Sequence, residues 1–262
     1  MKSLLILTLG LLACNPVGAA IVLNGNDFTN GSLTYTQNFN TLPSSGSATW
    51  TNHSTIPGWY AQRTGTGTSI AASSGPSVQG NLYSYGTGTQ ADRALGSIGS
   101  TPDPVAGHFA WGVQFENQSG QEITLTTLGY TGEQWWNNTS STHTITLWYQ
   151  VSASLMPSLN PGTDNTGWTS LSGGTFTNLH AGSIFGTSYD GNAAGNRTLI
   201  NLSSLSLVVP DGHFLMVRWS DLDQGGSDHG LAIDDVAITF VPEPSSSLLM
   251  LFCVPALLRR RR

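Results

Sequence analysis

The sequence predicts an all-β chain folded as a single antiparallel β-sandwich of about ten strands. Three observations carry that expectation. Charged residues make up only 9% of the 262 residues while glycine numbers 31, a composition that suits short strands and turns rather than helical bundles. Period-two alternation with β-branched and aromatic residues recurs along the chain, as in Phe109-Ala110-Trp111-Gly112-Val113-Gln114-Phe115. Helix-period apolar patterning is absent from the long middle section.

Taken in order, Ile21 to Leu23 starts a strand and Asn24-Gly25-Asn26-Asp27 turns it. Thr34 to Phe39 alternates as a strand, Asn40 to Trp50 reads as a Ser/Gly/Pro loop, and Ile56 to Tyr60 opens the next structured segment around Pro57-Gly58. Weak patterning from Gly65 to Gly80 leaves one strand near Thr68 to Ala71. Asn81 to Gly86 and Asp92 to Ser97 follow, with Arg93 placed as a candidate buried ion-pair partner. Phe109 to Phe115 and Ile123 to Tyr130, joined by Asn117-Gln118-Ser119-Gly120, predict a hairpin. Beyond Thr144 to Val151 lie a loop from Leu155 to Trp168, one edge strand between Trp168 and Leu179, and a strand region from Leu199 to Leu207. No repeated period or boundary divides this body, so residues 21–240 are expected to form one domain.

Both ends read as targeting segments. Lys2, the apolar run Leu4 to Leu12 and the small residues Val17-Gly18-Ala19-Ala20 form an export leader, residues 1–20, cleaved after Ala19 or Ala20 by a signal peptidase. A competing reading takes Leu11-Leu12-Ala13-Cys14 as a lipobox with Cys14 lipidated. The only cysteines are Cys14 and Cys253, so no disulfide holds the body. Between Ile21 and Val241 stand four arginines, no lysine and fourteen carboxylates, a formal charge of −10. Such a surface repels phosphate backbones, which argues against nucleic-acid binding. After residue 240 come Pro242-Glu243-Pro244, a serine run, an apolar segment from Leu248 to Leu258 and four terminal arginines. The apolar segment is short against the roughly 20 residues of a membrane span, and the arginines favour a cytoplasmic end.

The richest chemistry lies between Arg218 and Phe240. It reads as a strand to Trp219, an acidic turn carrying Asp221, Asp223 and Asp228 around Gly225-Gly226, then a strand bearing Asp234 and Asp235. Adjacent acids in a strand point to opposite faces, so one of this pair faces inward. A buried carboxylate needs a cation, an arginine or several N–H donors, and Arg93 and Arg218 are the candidate arginines. Asp221-x-Asp223-x-Gly225 has the oxygen-ligand spacing of a calcium loop, yet an EF-hand is excluded because its twelfth position is Ala232. Structural calcium on Asp221, Asp223, Asp228, Asp234 or Asp235 is therefore one expectation, and a solvated turn with capping aspartates is the other. Trp135 and Trp136, beside Glu133, form a candidate carbohydrate site through ring stacking and hydroxyl recognition; core packing is the competing assignment. The chain carries no G-x-S-x-G, H-E-x-x-H or paired-cysteine motif, and no catalytic residue is assigned.

The order Pro242-Glu243-Pro244, apolar segment, basic end resembles the PEP-CTERM sorting signal of bacteria, over residues 241–262. The resemblance implies recognition by an exosortase at the Pro-Glu-Pro motif, a transiently membrane-anchoring hydrophobic helix and delivery to the cell surface or extracellular matrix. Tyr83 to Gly86, Asp92 to Ser97, Tyr130 to Trp135 and Ser227 to Val236 resemble an extracellular module of such proteins. The ending Leu231-Ala232-Ile233-Asp234-Asp235-Val236 is also similar to the last strand of MAM domains and jelly-roll carbohydrate-binding modules, which implies a jelly-roll sandwich. The expected function is a non-enzymatic structural or adhesive surface protein. The alternatives are a module binding extracellular polysaccharide through Trp135 or Trp136, and a hydrolase without a recognisable motif.

Overall fold

The computed structural model describes residues 20–88, 90–138, 141–182 and 186–243. Strands in chain order are β1 Ile21–Asn24, β2 Leu33–Gln37, β3 Ser47–Thr49, β4 Trp59–Arg63, β5 Ser69–Ser73, β6 Asn81–Tyr85, β7 Ala94–Ile98, β8 Phe109–Gln118 and β9 Ile123–Asn137. They continue with β10 Thr144–Ser152, β11 Thr169–Ser170, β12 Phe176–Thr177, β13 Thr187–Ser188, β14 Arg197–Leu202, β15 Leu207–Val209, β16 Phe214–Asp221 and β17 Gly230–Pro242. Single 3-10 turns are the helical elements among the described residues, and no helix there is long and apolar enough to cross a membrane. Residues 1–19 of the leader with Cys14, and Pro244, the apolar tail and Cys253, lie outside the described residues.

Two sheets form the sandwich. One has seven strands along the path β1-β8-β16-β10-β11, with β4 on β8 and β12 on β10; the other has ten along β13-β9-β17-β7-β6-β5-β3, with β14 and β15 on β9 and β2 on β17. The strand count exceeds the expected ten because several pieces are only two or three residues long and fill gaps along the edges of β9 and β10. Pairing is antiparallel except for β1 on β8 and β5 on β6.

Alternation builds the core. Phe109, Trp111, Val113 and Phe115 of β8 and Leu215, Val217 and Trp219 of β16 face Leu125, Leu128 and Tyr130 of β9 and Leu231, Ile233, Val236 and Ile238 of β17 in one cluster. Trp59 stacks on Trp219 with centroids 5.7 Å apart and donates its Nε1–H to the Tyr35 hydroxyl at 2.7 Å.

Two sequence expectations fail here for one reason. β8 and β9 do not form a hairpin: β8 pairs with β16 in the seven-stranded sheet, and β9 pairs with β17 in the ten-stranded sheet. Asn117 carries the chain between sheets, donating from Nδ2 to the carbonyls of Gln121 at 2.8 Å and Val209 at 2.9 Å. Facing the core from opposite sides satisfies the same alternation that a hairpin would, and it gives each strand a long partner. Likewise, one edge strand was expected between Trp168 and Leu179, and the segment instead lays down β11 and β12 separately on β10.

The 155–168 loop is irregular as expected, and it is pinned. Arg218 lies buried on the outer face of β16, its guanidinium carbon 4.1 Å from the Trp168 ring centroid. It donates to the carbonyls of Leu159 at 2.9 Å and Asn160 at 3.2 Å and to Asn165 Oδ1 at 2.5 Å. Burial lowers its pKa to about 10, so it remains a cation at neutral pH.

Candidate functional site

The five aspartates proposed from sequence divide into two places. Among the described residues, no three Asp, Glu, His or Cys side chains converge tightly enough to enclose a metal ion by themselves. Any cation would therefore take backbone and water oxygens alongside carboxylates, as calcium commonly does.

The first place is the outer face of the ten-stranded sheet. Glu133 on β9 stands opposite Ala232 on β17, and Asp234 stands opposite Thr131, which puts both acids on the face away from the core. The strand is irregular between Asp234 and Ala237, and Asp235 adopts φ +49, a left-handed conformation that aspartate tolerates better than most residues. Asp234 is thereby buried and Asp235 exposed. The buried member thus lies on the outer face of the sheet and not toward the inter-sheet core. Asp234 Oδ1 accepts the Asp235 N–H at 2.7 Å, and Glu133 Oε2 accepts the Trp135 indole N–H at 2.9 Å. Glu133 is 1% exposed and its Oε1 has no partner.

The expected arginines go elsewhere. Arg93 is buried and donates to the hydroxyl and carbonyl oxygens of Ser84, while Arg218 holds the 155–168 loop. Arg197 pairs across from Glu133 on β14 with an exposed side chain, so it offsets the buried charge only weakly. Burial pushes Glu133 up to about 7 and Asp234 up to about 9, with Asp92 and Asp235 adding to both rises.

The second place is the connection from β16 to β17, which crosses between the sheets. Asp221 is buried, accepts a hydrogen bond from Ser97 Oγ, and is raised to about 7 by burial. Asp223 is half-buried and accepts from the Thr101 backbone N–H at 3.0 Å and from its hydroxyl. Asp228, 4% exposed, lies with Oδ1 3.2 Å from His143 Nδ1 and accepts the Gln224 N–H at 3.2 Å. Burial, followed by Asp221 and Asp223, lifts Asp228 to about 9, while burial and His229 drop His143 to about 4. His229 accepts the Asn138 N–H on Nδ1 and bonds the Ser141 carbonyl through Nε2, a fully engaged structural histidine. A cleft of about 580 Å³ opens beside this cluster, bordered by Gly99, Ser100, Asn138, Asp223, Gln224 and Asp228.

Trp135 and Trp136 do not form a sugar platform. They are 0% and 6% exposed; Trp135 stacks on Tyr85 at 5.7 Å, and both belong to a second apolar cluster with Tyr83, Ala94 and Ile98. The segment carrying Tyr189 and Gly191 lies over Trp135, close enough that a Cβ on Gly191 would enter the indole. A stacking site needs a free ring face, and this covering removes it. Of the sorting motif, Pro242 ends β17 opposite Ile123, and Glu243 bonds the Glu122 carbonyl through its N–H and Thr124 Oγ1 through its carboxylate at 2.6 Å.

Sequence reasoning missed Glu133 as a buried acid and missed His143 and Gly99 altogether. Glu133 had a signal, since continuing the alternation from Tyr130 puts it on the same strand face as Trp135. His143 and Gly99 had none, because only the crossing connection brings them to Asp228.

No family model and no curated protein matches the chain. Among solved structures, it is similar to the K3 cleaved adhesin domain of Lys-gingipain from Porphyromonas gingivalis at 15% identity and TM-score 0.37, over 74% of this chain and 99% of that one. The K2 adhesin domain of Lys-gingipain aligns at 15% identity and TM-score 0.33, over 78% and 97%. The carbohydrate-binding module TmCBM61, solved with β-1,4-galactotriose, aligns at 11% identity and TM-score 0.25, over 59% and 73%. Likenesses of this size leave the chemistry to be argued from its own residues.

Proposed function

We propose that this chain is an exported module of the cell surface or extracellular matrix, structural or adhesive rather than catalytic, whose folded body is completed by calcium. The Glu133–Asp234 pair carries this reading: two buried carboxylates, one oxygen without a partner, and no arginine within ion-pair distance among the described residues. Leaving such charge uncompensated costs several kcal/mol, and a hard cation supplies the missing charge through oxygen ligands. Glu133 and Asp234 would provide the carboxylates, with Asp92 and Asp235 adding negative charge at the rim. Extracellular calcium modules bind with Kd of about 10⁻⁴–10⁻³ M, an affinity suited to the exported location proposed. Residues 1–20 would be removed by signal peptidase, and residues 241–262 would be read by an exosortase while the apolar segment holds the membrane. A glycan-binding role would need a surface other than Trp135 and Trp136.

The deciding measurement is thermal unfolding in calcium and in chelator. The melting temperature should rise with calcium, because the ion binds only the folded chain. Glu133→Gln and Asp234→Asn should remove most of that response, and Asp235→Asn should retain it. A wild-type melting curve indifferent to both additions would reject calcium. For export, mass spectrometry of surface-extracted protein should find neither Met1 to about Ala20 nor Arg259 to Arg262; both ends intact would reject processing. Polysaccharide pull-down with and without calcium separates adhesion from a purely structural role.

A further inference from the structure

We infer that the cleft beside the β16–β17 connection is a second cation site, independent of Glu133 and Asp234, in which Asp228 Oδ2 and the Asp223 carboxylate are the protein's charged ligands. Asp228 is held from one side: Oδ1 accepts the Gln224 N–H and lies 3.2 Å from His143 Nδ1, which itself accepts the His229 N–H. Oδ2 is left buried without a hydrogen-bond partner on a side chain only 4% exposed. The Gly99 backbone N–H partly offsets the rise in the Asp228 pKa but does not satisfy Oδ2. A buried carboxylate oxygen lacking any donor is costly, and native structures rarely leave one without water or an ion.

The surroundings point to an ion of oxygen preference. Gly99 is what lets the carboxylate reach the cleft: a Cβ there would sit 2.5 Å from Asp228 Oδ2 and 2.8 Å from the Asp223 Cα. Asp228 and Asp223 border the same cleft, joined by the oxygen-bearing side chains of Ser100, Asn138, Gln224 and Ser227. No arginine or lysine borders it. Two carboxylates with neutral oxygens and no sulfur is the donor set of calcium rather than of a soft metal. Because the cleft is open, part of the coordination shell would be water. Asp221 is not a ligand: it is directed to Ser97 and lies behind the cleft rather than on its border.

Equilibrium dialysis of the purified chain against radiolabelled calcium tests this, with near-ultraviolet circular dichroism as the folding control. The wild type should take up one ion more than Asp228→Asn, and Asp223→Asn should lose the same ion. Glu133→Gln should leave that ion in place, and the Glu133→Gln/Asp223→Asn double variant should bind none. Asp223 is half-buried and an asparagine oxygen can still accept from Thr101, so this variant keeps the test open should Asp228→Asn fail to fold. Unchanged uptake in Asp223→Asn overturns the proposal, as does a wild-type chain whose entire uptake is abolished by Glu133→Gln. Uptake unaffected by Glu133→Gln but abolished by Asp223→Asn supports this site while rejecting the one at Asp234.

Discussion

Trp135 shows how a single side chain changes meaning between sequence and structure. Beside Trp136 and Glu133 it has the composition of a sugar site, yet its ring stacks on Tyr85 beneath the Tyr189–Gly191 segment. Its truncation is therefore a stability experiment. Trp135→Ala should cost about 3–5 kcal/mol in urea unfolding, the usual range for a buried large aromatic. A loss below about 1 kcal/mol would mean the ring is not packed as described. Asn117 makes a polar counterpart. Removing its amide takes a donor from the buried Val209 carbonyl, while Ser119 Oγ still donates to that of Gln121, so Asn117→Ala should cost about 1–3 kcal/mol in the same assay.

At the scale of elements, the long 155–168 loop has no regular structure of its own; Gln114 and Gln62 hold its first residues and Arg218 holds the carbonyls that follow. Arg218 is invariant in charge across the ordinary pH range and offers several donors in a fixed plane, which suits the carbonyls of Leu159 and Asn160 and the oxygen of Asn165 together. Lysine keeps the charge but loses the fork and the planar stacking on Trp168. Arg218→Lys should leave the sheets intact and open the loop, read as faster limited proteolysis between 155 and 168 with little change in far-ultraviolet circular dichroism. Protease resistance equal to the wild type would show that the Gln62 and Gln114 hydrogen bonds and the apolar contacts hold the loop without the guanidinium. The crossing connections belong to this scale too. β8 to β9 and β16 to β17 both change sheets, so the acidic turn spans the end of the sandwich and does not project as a hairpin tip.

For the whole molecule the decisive quantity is buried negative charge. Glu133 and Asp221 are raised to about 7, and Asp228 and Asp234 to about 9. Between the ordinary carboxylate range and these values, the folded chain binds more protons than the unfolded one. Stability from these groups is thus fully present at low pH and lost as pH rises toward 9. His143, lowered to about 4, and His229, also lowered by burial, act oppositely, because the unfolded chain takes their protons first as pH falls below about 6.5. Four acids outweigh two histidines. In chelator the melting temperature should climb as pH is lowered from 9 to 5, and saturating calcium should flatten that slope by replacing the protons. A chelated protein that grows more stable from pH 5 to pH 8 would contradict the burial of these acids without compensation.

The strands from Phe109, Ile123, Thr144, Phe214 and Leu231 were legible because alternation is a local signal: each face of a strand reports its own burial. The same locality made the acidic turn, the need to compensate the inward acid and the all-β class readable from residues alone. What alternation does not encode is the partner. A strand with one apolar face is equally satisfied in either sheet, so the sandwich closure, the transfer of β9 away from β8 and the extra edge pieces were decided by tertiary pairing. Burial of Trp136 and Asp234 on the outer face was decided there as well, since strand period assigns a side but not what later segments lay over it. The meeting of Asp228 with Gly99 and His143 is the extreme case. These residues are far apart in sequence, share no motif, and become neighbours only because two sheets end at the same place.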